Sequence, residues 1–210
     1  MAEITAPRIY GITDTQLLPG ESLFQAVFEA TQAGVAWIQY RAKTQPKAIA
    51  YEEARKLREI CTNNHAKLIV NDNPQLAKAV AADGVHLGQK DMSLGEARAI
   101  LGSEAIIGIT CHNAIELARD AVNGGANYVA FGRFFSSSTK PDASLASLDI
   151  LREARREITV PIVAIGGITP ENAPQVLAAG ADTLACCNSL FEANTIKWRA
   201  AQLLRIQPIL

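Results

Sequence analysis

Short apolar runs alternate with longer amphipathic stretches from one end of the chain to the other. The runs read as strands over Ile9–Ile12, Ala36–Tyr40, Lys67–Val70, Gly84–Leu87, Ile106–Thr110, Tyr128–Phe131, Ile162–Ile165 and Thr183–Cys186. Several carry β-branched or apolar residues at successive positions, the pattern of strands covered on both faces. The stretches between them repeat at helical spacing. Leu23, Val27 and Ala30 share one face of a helix predicted over Leu23–Ala33, and Leu57, Ile60 and Cys61 one face of Tyr51–Cys61. Further helices are predicted over Pro74–Ala82, Leu94–Leu101, Ala114–Asn123, Leu145–Glu157, Pro170–Ala179 and Trp198–Leu204. Gly34, Gly125 and Gly180 each follow a helical stretch, where glycine most easily adopts the left-handed conformation that ends a helix. Asn113 and Thr169 stand where helix N-caps belong, with Pro170 at a first helical position. Alternating βα units imply a parallel sheet. Eight of them in 210 residues predict an α/β fold, a closed (β/α)8 barrel forming a single domain over 1–210, with a doubly wound open sheet as the alternative.

Composition narrows the function classes. Lys and Arg number 20 against 21 Asp and Glu, a net charge of −1 that argues against a general nucleic-acid binder. With 49% hydrophobic and 20% charged residues the chain has the make-up of a globular domain. No apolar run approaches the length of a membrane span, and Met1–Asp14 lacks the basic-then-apolar pattern of a secretory signal. The four cysteines form no CxxC pair, and Cys186 and Cys187 are adjacent, which suits neither a disulfide framework nor a zinc site. A reduced, cytoplasmic protein is expected. Trp37, Trp198 and Ile206–Leu210 are read as core or as interface, so a homo-oligomer is admissible.

In a barrel of this kind the active site is assembled from the segments after each strand's carboxyl end, and polar residues gather there. Strand two leads into Gln39-Tyr40-Arg41-Ala42-Lys43, strand three into Asn71-Asp72-Asn73, and strand four into His86-Leu87-Gly88-Gln89-Lys90-Asp91. Strand five ends in Thr110-Cys111-His112. Strand six leads to Gly132 and then Ser136-Ser137-Ser138-Thr139-Lys140; strand seven ends in Gly166-Gly167 and strand eight in Cys187-Asn188. Arg41, Lys43 and Lys140 bring three cations to one rim, together with hydroxyls and glycine amides, a set suited to an oligophosphate. Asp72 and Asp91 add carboxylates to that positive neighbourhood, as Mg²⁺ beside phosphate requires. Each also has a structural reading: Asp72 as cap of the helix starting at Pro74, Asp91 as opener of the turn before Ser93. Gly166-Gly167 resembles a backbone phosphate corner, or serves only a tight turn. Two phosphate subsites on one rim point to a reaction joining two phosphorylated molecules. His112 reads as a general acid or base, or as an oriented histidine of the core or surround; His65 lies in a polar surface turn.

These segments resemble the thiamine phosphate synthase family. The resemblance runs from Tyr10-Gly11-Ile12-Thr13-Asp14 to Asn188-Ser189-Leu190-Phe191 and rests on five motifs in order. They are Ile38–Lys43, Val70-Asn71-Asp72, Gly84–Asp91, Gly108–His112 and Phe131–Pro141. It implies a (β/α)8 barrel that couples hydroxymethylpyrimidine pyrophosphate to thiazole phosphate, releasing pyrophosphate, with Mg²⁺ as cofactor and no nucleic-acid or membrane partner. By the resemblance, the pyrimidine diphosphate is held by Gln39, Tyr40, Arg41, Ala42, Lys43, Asn71, Thr110 and Lys140, with His86 beside the ring. Asp72 and Asp91 hold Mg²⁺. The thiazole phosphate meets the hydroxyl segment Ser137-Ser138-Thr139, Gly167, Cys187 and Asn188. Arg41, Lys43 and Lys140 are the expected catalytic cations, stabilising the leaving diphosphate. The family commonly has proline and threonine where Ser136 and Ser137 stand, and often serine in place of Asn188. The competing readings are a thiazole tautomerase of the sister family and a non-catalytic barrel that binds thiamine precursors.

Overall fold

The computed structural model describes residues 5–136, 145–193 and 195–209. Eight parallel strands close in chain order: β1 (Ile9–Ile12), β2 (Trp37–Tyr40), β3 (Lys67–Asn71), β4 (Gly84–Leu87), β5 (Ile106–His112), β6 (Tyr128–Phe131), β7 (Ile162–Ile165) and β8 (Thr183–Cys186). Tyr10 of β1 pairs with Trp37 on one side and with Ala185 of β8 on the other, so no strand has a free edge and the open-sheet alternative falls. The helices are α1 (Glu21–Gln32), α2 (Lys47–Asn63), α3 (Pro74–Ala79), α4 (Leu94–Leu101), α5 (Ile115–Asn123), α6 (Asp149–Glu157), α7 (Ala173–Ala178), α8 (Asn188–Phe191) and α9 (Ile196–Leu204). The architecture is the predicted (β/α)8 barrel.

The local differences have physical causes. β5 runs two residues past its predicted end because a bulge between Thr110 and His112 keeps it paired as far as Phe131. α8 has only four residues, too few to show a periodic pattern. Neither Asn113 nor Thr169 caps a helix: α5 starts after Ala114, and α7 after Asn172, whose Oδ1 accepts the Thr169 N–H at 2.8 Å.

Alternate residues of each strand face opposite sides. Tyr10, Ile12, Trp37, Ile69, Tyr128 and Val163 point into the barrel, where they form its apolar filling with further small residues. Ile9, Ile38, Leu68, Val129 and Leu184 point out and pack beneath the helices. Three rings fill the centre, Tyr10 against Trp37 at 5.6 Å and Trp37 against Tyr128 at 5.4 Å between centroids. Gly108 makes room for them: a Cβ there would stand 1.9 Å from Tyr128 Cζ.

The opposite end of the barrel from the predicted site carries a repeated brace. Asp83, Asn127 and Asp182 stand just before β4, β6 and β8. Each accepts, through its side chain, a backbone N–H of the preceding odd strand: Leu68 at 2.9 Å, Ile107 at 2.9 Å and Ile162 at 2.8 Å. An arginine from the helix before that odd strand holds each one: Arg58 of α2, Arg98 of α4 and Arg155 of α6. Asp83→Ala should therefore lower stability by about 1.5–3 kcal/mol, the worth of hydrogen bonds to a charged group. Urea unfolding of the variant would show it as a lower midpoint at unchanged slope; an unmoved midpoint would mean the brace contributes nothing.

Candidate active site

The barrel interior ends, toward the carboxyl ends of the strands, in a buried chain of hydrogen bonds. Gln39 Nε2 donates to the Tyr10 hydroxyl at 2.9 Å. The Tyr10 and Tyr128 hydroxyls lie 3.1 Å apart. Tyr128 in turn reaches His86 Nδ1 at 2.9 Å, and His86 Nε2 meets Thr110 Oγ1 at 2.8 Å. Gln39, Tyr10, Tyr128 and His86 are all buried. One donor direction satisfies the chain: Gln39 to Tyr10, Tyr10 to Tyr128, Tyr128 to His86 Nδ1, and a proton on His86 Nε2 given to Thr110. The reverse direction strands the Tyr10 proton inside the chain, so the neutral Nε2-protonated tautomer is the one that fits. Burial pushes both tyrosine hydroxyls far above the ordinary phenol range, so neither ionises. The network can orient a neutral polar heterocycle through Gln39, His86 and Thr110.

Charge is concentrated one layer higher, on the rim. Thr13 Oγ1, beyond β1, donates to Gln39 O and accepts the Arg41 N–H, both at 3.1 Å. Asp14 then pairs with the Arg41 guanidinium at 2.7 Å, while its other oxygen caps the turn through the N–H of Gln16. Lys43 pairs with Asp72. Asp72 is held against β4 by its N–H, which donates to His86 O at 2.8 Å, and it adopts a left-handed backbone with φ of 63°. It does not cap α3. Asn73 does, accepting the Leu76 N–H at 2.9 Å, which leaves the Asp72 carboxylate turned to the rim. Asp91 closes its own turn by accepting the Gly88 N–H at 2.7 Å. Burial and then the neighbouring Asp72 push the Asp91 carboxyl above the ordinary range.

The Asp72 carboxylate lies near enough to raise the Asp91 carboxyl, and no cluster of three or more metal-ligating side chains exists among the described residues. Such a pair fits Mg²⁺, which takes one or two protein carboxylates and completes its shell with water and substrate phosphate. It does not fit a metal needing a full protein cage.

The remaining predicted residues divide. Asn71 sits at the end of β3, paired with His86, and Ala42 lies between the two rim cations. Tyr40 is turned away from the mouth, because the strand alternation that points Gln39 inward points Tyr40 outward. Its hydroxyl donates to Glu53 of α2 at 2.6 Å. Gly166 and Gly167 are accounted for by close packing. A Cβ on Gly166 would stand 2.2 Å from Arg133 Cβ and one on Gly167 2.4 Å from Ser136 O, so the chain after β6 lies directly on them. Cys187 packs on the interior cluster, and Asn188 Nδ2 donates to Glu192 Oε1 at 2.5 Å, down its own helix. His112 lies exposed at the end of β5 with φ of 51°. Ser137, Ser138, Thr139 and Lys140 lie outside the described residues. Sequence reasoning missed Tyr10, Thr13, Asp14 and Tyr128. The same rule that found the other segments, a polar residue after a strand, points to Thr13 and Asp14 after β1. The tyrosines carry only a weak signal, a hydroxyl at an inward position of an apolar strand.

A family described as thiamine monophosphate synthase matches the chain over residues 9–190. A thiamine-phosphate synthase of Saccharophagus degradans is 51% identical over 201 residues, covering 95% of this chain and 93% of that protein. One from Nitrosococcus oceani is 52% identical over 193 residues, covering 92% and 89%. Among solved structures, a thiamine phosphate pyrophosphorylase from Pyrococcus furiosus superposes with a TM-score of 0.85 at 34% identity, over 93% of each chain.

The Asp72–Asp91 pair generates a pH-linked prediction. Because the Asp91 carboxyl is raised in the folded protein, its ionised form opposes folding once pH exceeds its unfolded value. Asp91→Asn keeps the acceptor for Gly88 and removes that charge. In the absence of divalent metal at neutral pH it should melt at a higher temperature than the parent protein. Added Mg²⁺ should raise its melting temperature less than it raises that of the parent. A lower melting temperature for Asp91→Asn without metal would contradict the repulsion.

Proposed function

Since the chain belongs to the thiamine monophosphate synthase family and has the transferase activity of a thiamine-phosphate synthase, we propose how its mouth performs the coupling. The substrates are hydroxymethylpyrimidine pyrophosphate and thiazole phosphate. The carbon–oxygen bond to the diphosphate breaks and its electron pair leaves with pyrophosphate. The thiazole nitrogen lone pair then forms the new carbon–nitrogen bond, giving thiamine phosphate.

The observation that carries this reading is the layering of the mouth, a neutral hydrogen-bonding floor beneath a rim bearing Arg41, Lys43, Asp72 and Asp91. Gln39, His86 and Thr110 orient the pyrimidine ring. Arg41 and Lys43, each already paired with a carboxylate, hold the diphosphate with Asn71 and Lys140 and stabilise the negative charge it gains on departure. Asp72 and Asp91 would hold Mg²⁺, which when bound supplies further positive charge to the same oxygens. Ser137, Ser138 and Thr139, with the backbone of Gly167, Cys187 and Asn188, take the thiazole phosphate; the Asn188 side chain is engaged with Glu192. The thiazole nitrogen needs to be held within about 3–3.5 Å of the carbon, a task of orientation. A neutral floor suits that task better than the proton shuttling of a tautomerase.

The experiment is a pyrophosphate-release assay with the two substrates and Mg²⁺ varied independently. Release should require all three; release from the pyrimidine substrate alone at the full rate would mean that water is the acceptor and the protein a hydrolase of the pyrimidine diphosphate. Lys140→Ala should lower kcat and kcat/KM together by roughly 10²–10³-fold, the scale of one preorganised electrostatic contact. A raised KM for the pyrimidine diphosphate at unaltered kcat would make Lys140 a ground-state anchor and leave the departing charge to Arg41 and Lys43.

A further inference from the structure

We propose that Glu53 of α2 is a positioning residue for the diphosphate subsite, clamping from behind the loop that carries Arg41 and Lys43; this rests on the assignment of those two cations to the diphosphate. The loop leaves the barrel after Tyr40 and reaches α2 through Gln45. Both flanking residues are tied to the same carboxylate. The Tyr40 hydroxyl donates to Glu53 Oε2 at 2.6 Å, and Gln45 Nε2 donates to Oε1 at 2.8 Å. Glu53 is 8% exposed and Tyr40 1%, so both bonds to Glu53 are shielded from competition with water at least on the carboxylate side.

Packing holds the start of the loop, since Tyr40 belongs to the buried core and Ala42 packs against it. A cavity of about 450 Å³ lies behind the loop, walled in part by Tyr40, Ala42, Gln45, Ala50 and Leu76. Gln45 stands on the wall of that cavity, and its bond to Glu53 ties that end of the loop to α2. The carboxylate stands on a buried helix face otherwise made of Ala50, Ala54, Leu57 and Cys61, so its place there is explained by its two hydrogen-bond partners and not by apolar packing. What a carboxylate offers there, and a leucine does not, is two acceptors on one rigid planar group that fix where the two ends of a four-residue loop sit. On the mouth side the same loop is tied through Arg41 to Thr13 and Asp14. Glu53 supplies the opposing hold, so the rim cations stand in one place before the diphosphate arrives.

The test uses Glu53→Leu and Glu53→Gln in the full chain. Glu53→Leu leaves the buried Tyr40 hydroxyl without its acceptor and should melt below the parent, so its binding constants are read well under its own melting temperature. It should raise both the KM for the pyrimidine diphosphate and the Kd for inorganic pyrophosphate with Mg²⁺ by about tenfold or more, the scale of a binding group displaced by a fraction of an ångström to 1 Å. The KM for thiazole phosphate should stay unchanged. Glu53→Gln, whose amide can accept one bond and donate the other to a reoriented Gln45, should recover most of the loss. Unchanged pyrophosphate affinity in Glu53→Leu overturns the clamp. So does a loss that Glu53→Gln fails to rescue, or one shared equally by the thiazole substrate. Arg41→Ala is the control. If it weakens pyrophosphate while Glu53→Leu does not, the clamp alone is wrong; if it too leaves pyrophosphate binding unaltered, the diphosphate assignment beneath the proposal is overturned with it.

Discussion

Closing eight short strands into one barrel forces alternate residues of every strand onto an axis only wide enough for side chains to fill. Everything at the mouth stands on that filling. The centre is occupied by three aromatic rings, admitted because Gly108 has no side chain. Two of those rings are tyrosines with hydroxyls that need partners in a place without water. The hydrogen-bonded chain from Gln39 to Thr110 is the solution, and it turns the top of an apolar core into a floor with fixed polarity. Burial keeps the tyrosine hydroxyls protonated, so both stay available as hydrogen-bond donors within the floor.

Above it the charges are arranged to be exchanged. Arg41 and Lys43 would repel one another across the rim, yet each is met by a carboxylate, Asp14 and Asp72. The pairs are unlike in kind. Arg41 and Asp14 are both largely covered, with side-chain exposures of 15% and 19%, whereas Lys43 is 50% exposed. Arg41 is accordingly a fixed anchor, and Lys43 is the cation better able to leave its partner for an incoming phosphate. Asp72 pairs with Lys43 and crowds Asp91 from a left-handed backbone, a local strain of the kind found where a site needs a side chain at one point in space.

The far end of the barrel shows the opposite economy of design. Asp83, Asn127 and Asp182 perform one backbone-pairing role at three even strands, each held by an arginine from a helix. The position before β2 is Ala36, which has no polar side chain, so the brace is missing from the first unit. The repeat is confined to the end of the barrel that maintains the fold, while the segments at the other end differ from strand to strand. That division is the one expected of a (β/α)8 scaffold.

Much of this was legible in the chain itself. Apolar runs of four or five residues between amphipathic stretches determine the strands, because period-two and period-3.6 burial leave different marks on a sequence. The order of units determines the barrel and the end at which Gln39, Arg41, Lys43, Asp72 and Asp91 gather. What tertiary structure decided was direction and partnership. Gln39 and Tyr40 are neighbours in sequence, and only the phase of β2 in the closed sheet sends one to the floor and the other to Glu53. Asp72 and Asn73 are equally good caps by residue type; the bond from Asp72 N–H to His86 O holds the first at the rim and leaves the second to cap α3. Tyr10 and Tyr128 lie 118 residues apart and meet only across the barrel axis. A sequence records which side chains each element offers, but which of them touch depends on closure, and closure is a property of all eight strands together.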